Sequence, residues 1–211
     1  MRYCSLGQGC HSAAIFKYQG LKVESFPFDW MNSRSEMIKH CIEDDFKTFL
    51  NREQYCKIDN HWDDHECCQH DFYAPLLQDN PKPEKHIIFR HRDPMMDDDA
   101  YNYYKRCVER FRDLLSSDEQ KTFLIIYPNK DSDITASIKD ALLLSQFFEK
   151  HTTNFKIIAV HHYVTGYRSH RLINGRNLMF VNLTTVTQDE GGDYSNHEDN
   201  MYLNDIIKKL L

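Results

Sequence analysis

Residues 122 to 161 read TFLIIYPNKDSDITASIKDALLLSQFFEKHTTNFKIIAVH, and this stretch decides the fold. It opens on an apolar run, Thr122 to Tyr127, and closes on another, Lys156 to His161, each of a length that suits a buried strand. Between them Ile134, Ile138, Ala141, Leu142, Ser145 and Phe148 recur at steps of three and four. That spacing gathers them on one face of a helix over Ile134 to Lys150. Asp131, Ser132 and Asp133 stand just ahead of it as N-cap candidates. Strand, helix, strand in this order predicts parallel neighbours in one sheet, because the connection is far too long for a hairpin.

Working outward, Arg2 to Leu6 and Leu178 to Leu183 supply two more short apolar runs. A second helix is predicted from Asp99 to Ser116, with Tyr101, Tyr104, Val108, Phe111 and Leu115 on one stripe. A third, from about Asp199, carries Leu203, Ile206, Ile207 and Leu210. The predicted fold class is α/β, a single domain over residues 1–211 with a mainly parallel central sheet flanked by helices. Residues 51–99 lack comparable periodicity and are rich in His, Cys and Asp. They read as an irregular insertion, a lid or a functional loop.

Composition narrows the function. The 211 residues carry 26 Lys and Arg against 32 Asp and Glu, a formal charge of -6. That balance does not suit a protein that binds by neutralising phosphates, so nucleic acid is not an expected partner. The chain starts directly on MRYCSLGQGC, without the apolar stretch of a signal peptide or membrane span, so no membrane association is expected. Seven cysteines is an odd number in a chain of this size. Free thiols and a reducing, cytoplasmic location are the expectation.

The chemistry concentrates in Ser5-Leu6-Gly7-Gln8-Gly9-Cys10-His11-Ser12, which follows the first strand and leads into a helix from Cys10 to Tyr18. Two glycines permit a sharp turn. A cysteine at a helix N-terminus faces unpaired N–H groups and the positive end of the helix dipole, both of which stabilise thiolate over thiol. The same N–H groups, Gly9's included, can donate to an oxyanion, with Gln8 adding a side-chain donor. The alternative for Cys10 is a small buried hydrophobe at an ordinary strand-to-helix turn. Cys4, on the strand, and Cys107, on the helical stripe, read as packing. His11 cannot face its neighbour Cys10 on a helix, though it can line the pocket.

The combination of SLGQGC, then Ser25-Phe26-Pro27-Phe28-Asp29-Trp30, His70-Asp71-Phe72, and Tyr104 to Phe111 (YKRCVERF) resembles the family described as putative papain-like cysteine peptidases. The resemblance covers roughly the first 115 residues. It implies Cys10 as nucleophile, His70 as base and an acid that orients the base, Asp29 by the motif or Asp71 by adjacency. A purely structural PFDW is the alternative, with Pro27 fixing a turn, Phe28 and Trp30 packing, and Asp29 capping the local backbone.

His61, Asp63, Asp64, His65, Cys67, Cys68, His70 and Asp71 crowd one segment, yet the two cysteines are adjacent and no second pair follows at finger-like distance. No structural zinc, and no other cofactor, is predicted. His161 and His162, at a strand end, can either reach a cleft or sit as satisfied histidines. The leading function is a cysteine-dependent hydrolase or acyl transferase acting on a peptide or other acyl substrate. The alternatives are a glycosyltransferase-like enzyme, with the Gly7 to Gly9 turn against a nucleotide-sugar phosphate, and a non-catalytic binding module on the same scaffold.

Overall fold

A computed structural model describes residues 1–58, 67–77 and 87–211. Its elements in chain order are β1 (Arg2–Ser5), α1 (His11–Tyr18), α2 (Ser35–Glu43), β2 (Tyr55–Cys56), β3 (Gln69–His70), α3 (Asp98–Ser116), β4 (Lys121–Lys130), α4 (Thr135–His151), β5 (Phe155–Val164), β6 (Ser169–Asn174), β7 (Leu178–Thr185) and α5 (His197–Leu210). Five strands form one sheet in the order β1-β4-β5-β7-β6, and β2 pairs with β3 separately. β1, β4, β5 and β7 run parallel. The four apolar runs are therefore the parallel strands of an α/β fold.

These strands read as continuous apolar runs because both faces of the sheet are covered. Along β4, Phe123, Ile125 and Tyr127 point to one side, where they join residues of α2, α3 and α4. Leu124 and Ile126 point to the other, against Ile15 and Phe16 of α1 and Leu203, Ile206 and Ile207 of α5. The antiparallel edge strand β6 was not anticipated. Its SHRLIN sequence is exposed along almost its whole length, so it carries no apolar run to betray it. A polar edge also resists pairing with other chains.

The helices depart from the predictions in detail. α4 buries Ser137, Ala141, Leu144, Ser145 and Phe148, while Leu142 is exposed. One residue is 100° on a helix, so Leu142 lies off the face that Ala141 defines. The acids ahead of α4 act in sequence: Asp131 Oδ1 accepts from Asp133 N–H, and Asp133 Oδ1 accepts from Thr135 N–H and its hydroxyl. α3 and α5 have side-chain caps, Asp97 and Asn196. α2 went unread in the sequence. The described part of 51–99 is no loose lid, since Tyr55, Cys68, Tyr73, Leu77, Ile88 and Phe89 are all buried in the larger core cluster.

Phe111 sits at the centre of that cluster, fully buried, with ring centroids of Phe28, Phe46 and Phe26 at 5.5, 5.7 and 6.3 Å. Phe111→Ala should destabilise the protein by about 3–5 kcal/mol, from lost burial plus the cavity left behind. Urea unfolding should show this as a lower midpoint at unchanged slope.

Candidate active site

The site lies at the carboxyl ends of the parallel strands, where open α/β sheets hold their ligands. Between β1 and α1 the chain passes through three consecutive residues at positive φ, Gly7 (78°), Gln8 (65°) and Gly9 (132°). A Cβ at Gly7 would stand 2.1 Å from Ser33 Oγ and 3.1 Å from the Phe28 carbonyl oxygen. Space and conformation both require glycine there. Hydrogen bonds then fix the turn. Gly7 N–H donates to Ser5 Oγ and Gln8 N–H to Ser33 Oγ, both at 3.2 Å. Gly9 N–H donates to the Met31 carbonyl at 3.3 Å and Cys10 N–H to that of Gly191 at 2.7 Å.

This frame holds Cys10 at the N-cap of α1, half-buried, with its Sγ 3.2 Å from Nε2 of the exposed His91. The imidazole at Cys10 is thus His91. His91 lies in the basic stretch 82–92 of the sequence. No motif marks it in the sequence; in the structure it follows Phe89, a core aromatic bridged to Cys68, by two residues.

His70 is placed in the core. It is fully buried, its Nε2–H donates to the Thr48 carbonyl at 3.1 Å, and its Nδ1 is buried without a hydrogen-bond partner among the described residues. Rings of Tyr73 and Tyr55 pack at 4.6 and 5.6 Å. Burial lowers its pKa. The Cys10 sulfur is partner to neither ring nitrogen, so the structure does not bring His70 and Cys10 together. Among the described residues Asp29 is not brought to a histidine either. Buried beneath the PFDW turn, it accepts from Phe26 N–H at 2.7 Å and pairs with Lys22. Burial raises its pKa despite the ammonium group. Asp71 faces Cys56.

Two of the expected oxyanion donors are committed elsewhere, since the N–H groups of Gly9 and Cys10 have the carbonyl partners named above. Gln8 lines a cavity of about 460 Å³ with Arg34, Tyr127, Ser137, Asp140 and His161. His11 is buried, its Nδ1 2.6 Å from Asp189 Oδ2 and its ring edge-on to Tyr194 at 4.7 Å. Among the described residues no group of three His, Cys, Asp or Glu could hold a metal. His61, Asp63, Asp64 and His65 of the zinc analysis lie outside the described residues.

Asp189 is a functional candidate the sequence did not signal. Its Oδ1 accepts from Gly191 N–H at 2.6 Å, while its backbone N–H donates to Asn129 Oδ1 and its carbonyl accepts from Asn129 Nδ2. Burial pushes its pKa up, but the bond and charge of His11 outweigh this and leave it lowered. Behind it His162 Nδ1 accepts from Asn129 N–H at 3.2 Å, so Nε2 carries the proton to Thr185 Oγ1 at 2.7 Å. His161 is also satisfied, between Ser137 Oγ and the Asp131 carbonyl.

The chain belongs to the family described as putative papain-like cysteine peptidase, which it matches over residues 1–164. The match includes Cys10, Asp29, His70 and His91; Asp189 and Gly191 lie beyond it. No curated protein and no solved structure matches the chain. No helix among the described residues is long and apolar enough to cross a membrane.

His162 gives the site a pH limit. Burial lowers its pKa from 6.5 to about 4, so between those values the unfolded chain binds a proton that the folded protein refuses. The contribution of this group is fully present above pH 6.5 and is lost as pH drops towards 4, an effect of roughly 3 kcal/mol. Urea midpoints measured from pH 7 to 4 should decline through this window, and His162→Gln should flatten the decline.

Proposed function

We propose that the protein is a cysteine-dependent hydrolase or acyl transferase in which Cys10 is the nucleophile and His91 its base. The observation that carries this reading is the Cys10 Sγ to His91 Nε2 separation of 3.2 Å at the N-terminus of α1. A nucleophile needs a base within hydrogen-bond reach, and the helix dipole favours the thiolate. The family description supports cysteine chemistry on an acyl substrate.

In this mechanism the Cys10 thiol proton passes to His91 as the sulfur bonds to the substrate carbonyl carbon, and the carbonyl π electrons move to oxygen. The N–H groups of His11 and Ser12, which a helix leaves without intrahelical partners, serve as donors for that oxyanion. Collapse reforms the carbonyl and breaks the bond to the leaving group, which takes the proton from His91. Water, or an acceptor nucleophile, then attacks the thioester with His91 as base; the C–S bond breaks and the Cys10 thiol is restored.

The phosphate-binding alternative is disfavoured by the turn itself. A phosphate cradle requires backbone N–H groups free to point at the ligand, and those of residues 7 to 10 are bonded within the protein.

The remaining thiols provide an internal control. Burial pushes Cys56 and Cys107 up to about 11 and raises Cys4, Cys41 and Cys68 as well. At pH 7 iodoacetamide should label Cys10 at least ten-fold faster than these five, as read by peptide mass spectrometry. His91→Ala should slow Cys10 labelling about ten-fold or more. His70→Ala should instead lower stability. Labelling of Cys10 no faster than that of these five thiols would defeat the proposal.

A further inference from the structure

A second cavity, of about 570 Å³, opens between α1 and α5. Its lining is mostly apolar, with Ile15 buried, Ala14 and Trp30 half-buried and Tyr18 and Met201 exposed, and with His11 as the buried polar group. The volume falls within the range of small-molecule sites and exceeds what one apolar side chain needs. Its edge carries Lys17 and Asp193, charges of opposite sign, together with His197, Asn200 and Asn204, so no single charge dominates there.

Three connections place this cavity beside Cys10. Trp30 precedes Met31, whose carbonyl accepts Gly9 N–H, and Gly192 of the wall follows Gly191, whose carbonyl accepts Cys10 N–H. Along α1, Ala14 and Lys17 share the face that begins at Cys10, by the spacing of neighbours on a helix. Four residues of rise is about 6 Å, the length of one amino-acid side chain.

His11 is the one buried polar side chain of the lining. Asp189 occupies Nδ1, which leaves Nε2 as the ring nitrogen for a ligand in the cavity. The Asp189 carboxylate, doubly bonded by His11 and Gly191 N–H, fixes the ring orientation. A buried imidazole held in one position among apolar walls fits an aromatic ring that carries one hydrogen-bonding group.

We propose that this cavity receives the side chain of a tyrosyl-type acyl substrate of Cys10, with the ring between Trp30, Ile15 and Met201 and the phenol hydrogen-bonded to His11 Nε2. The inference deepens the proposal that Cys10 is an acyl-accepting nucleophile and rests on it. His11 is here a binding residue, and Asp189 positions it.

The test uses N-acetyl tyrosyl, phenylalanyl and alanyl chloromethyl ketones, in which the Cys10 sulfur forms a bond to the methylene carbon as chloride leaves. Inactivation rate constants, normalised to iodoacetamide, should favour tyrosyl over phenylalanyl by about ten-fold, the worth of one hydrogen bond, and phenylalanyl over alanyl by at least as much. In His11→Gln the ratio of tyrosyl to phenylalanyl should fall towards one. Since that variant perturbs a buried ion pair, a second measurement is made on the unaltered protein: N-acetyltyrosinamide should shift the Trp30 indole N–H resonance saturably. Equal rates for the three ketones, or no saturable shift, overturns the inference. A saturable shift in a protein whose Cys10 fails to react with iodoacetamide supports the pocket and removes the nucleophile, which separates the two claims.

Discussion

The Asp189 carboxylate is the point at which the distant parts of the site meet. It is almost fully buried, and a buried carboxylate is tolerable only where hydrogen bonds replace its water. His11, Gly191 and the side chain of Asn129 satisfy it and its own backbone. These partners come from α1, from the loop after β7 and from the end of β4. Through Gly191 the same loop grips the Cys10 N–H, so the orientation of the candidate nucleophile follows from satisfying one charge.

The sheet makes that meeting possible. β1, β4, β5 and β7 run parallel, so all four end on the same side, and their following loops share one crevice. Cys10 follows β1, Asn129 ends β4, His161 and His162 lie near the end of β5, and Asp189 follows β7. Two faces of apolar packing hold the strands in register beneath the site. At this end the buried His11, His161, His162 and Asp189 each have a hydrogen-bond partner that offsets their burial.

The two histidines of the irregular region show how local sequence misleads. His70 stands in a recognisable motif, yet its ring is enclosed by Tyr55, Tyr73 and Phe89, where it ties β3 to the Thr48 carbonyl. His91 stands in a basic run without a motif, yet it reaches the sulfur. The Cys68 to Phe89 bridge anchors the chain just before His91. A motif reports that a residue type is retained at a position; whether packing or chemistry uses it depends on what surrounds the ring.

The sequence by itself determined the α/β class, the four parallel strands, the helices α1, α3, α4 and α5, and the glycine turn that leads into Cys10. These follow from periodicity and turn chemistry, which act over a few residues and are written in adjacent positions. It did not reveal β6, whose polar exposed strand has no buried face to pattern it, nor α2. Only the tertiary structure decided that His91 stands at Cys10, that Asp29 serves its own turn, and that Asp189 anchors His11. The separations involved, 81 residues for Cys10 and His91 and 178 for His11 and Asp189, are bridged by strand pairing and core packing. No local spacing encodes such contacts, because a side chain's partner across the crevice is set by where each strand ends in the assembled sheet.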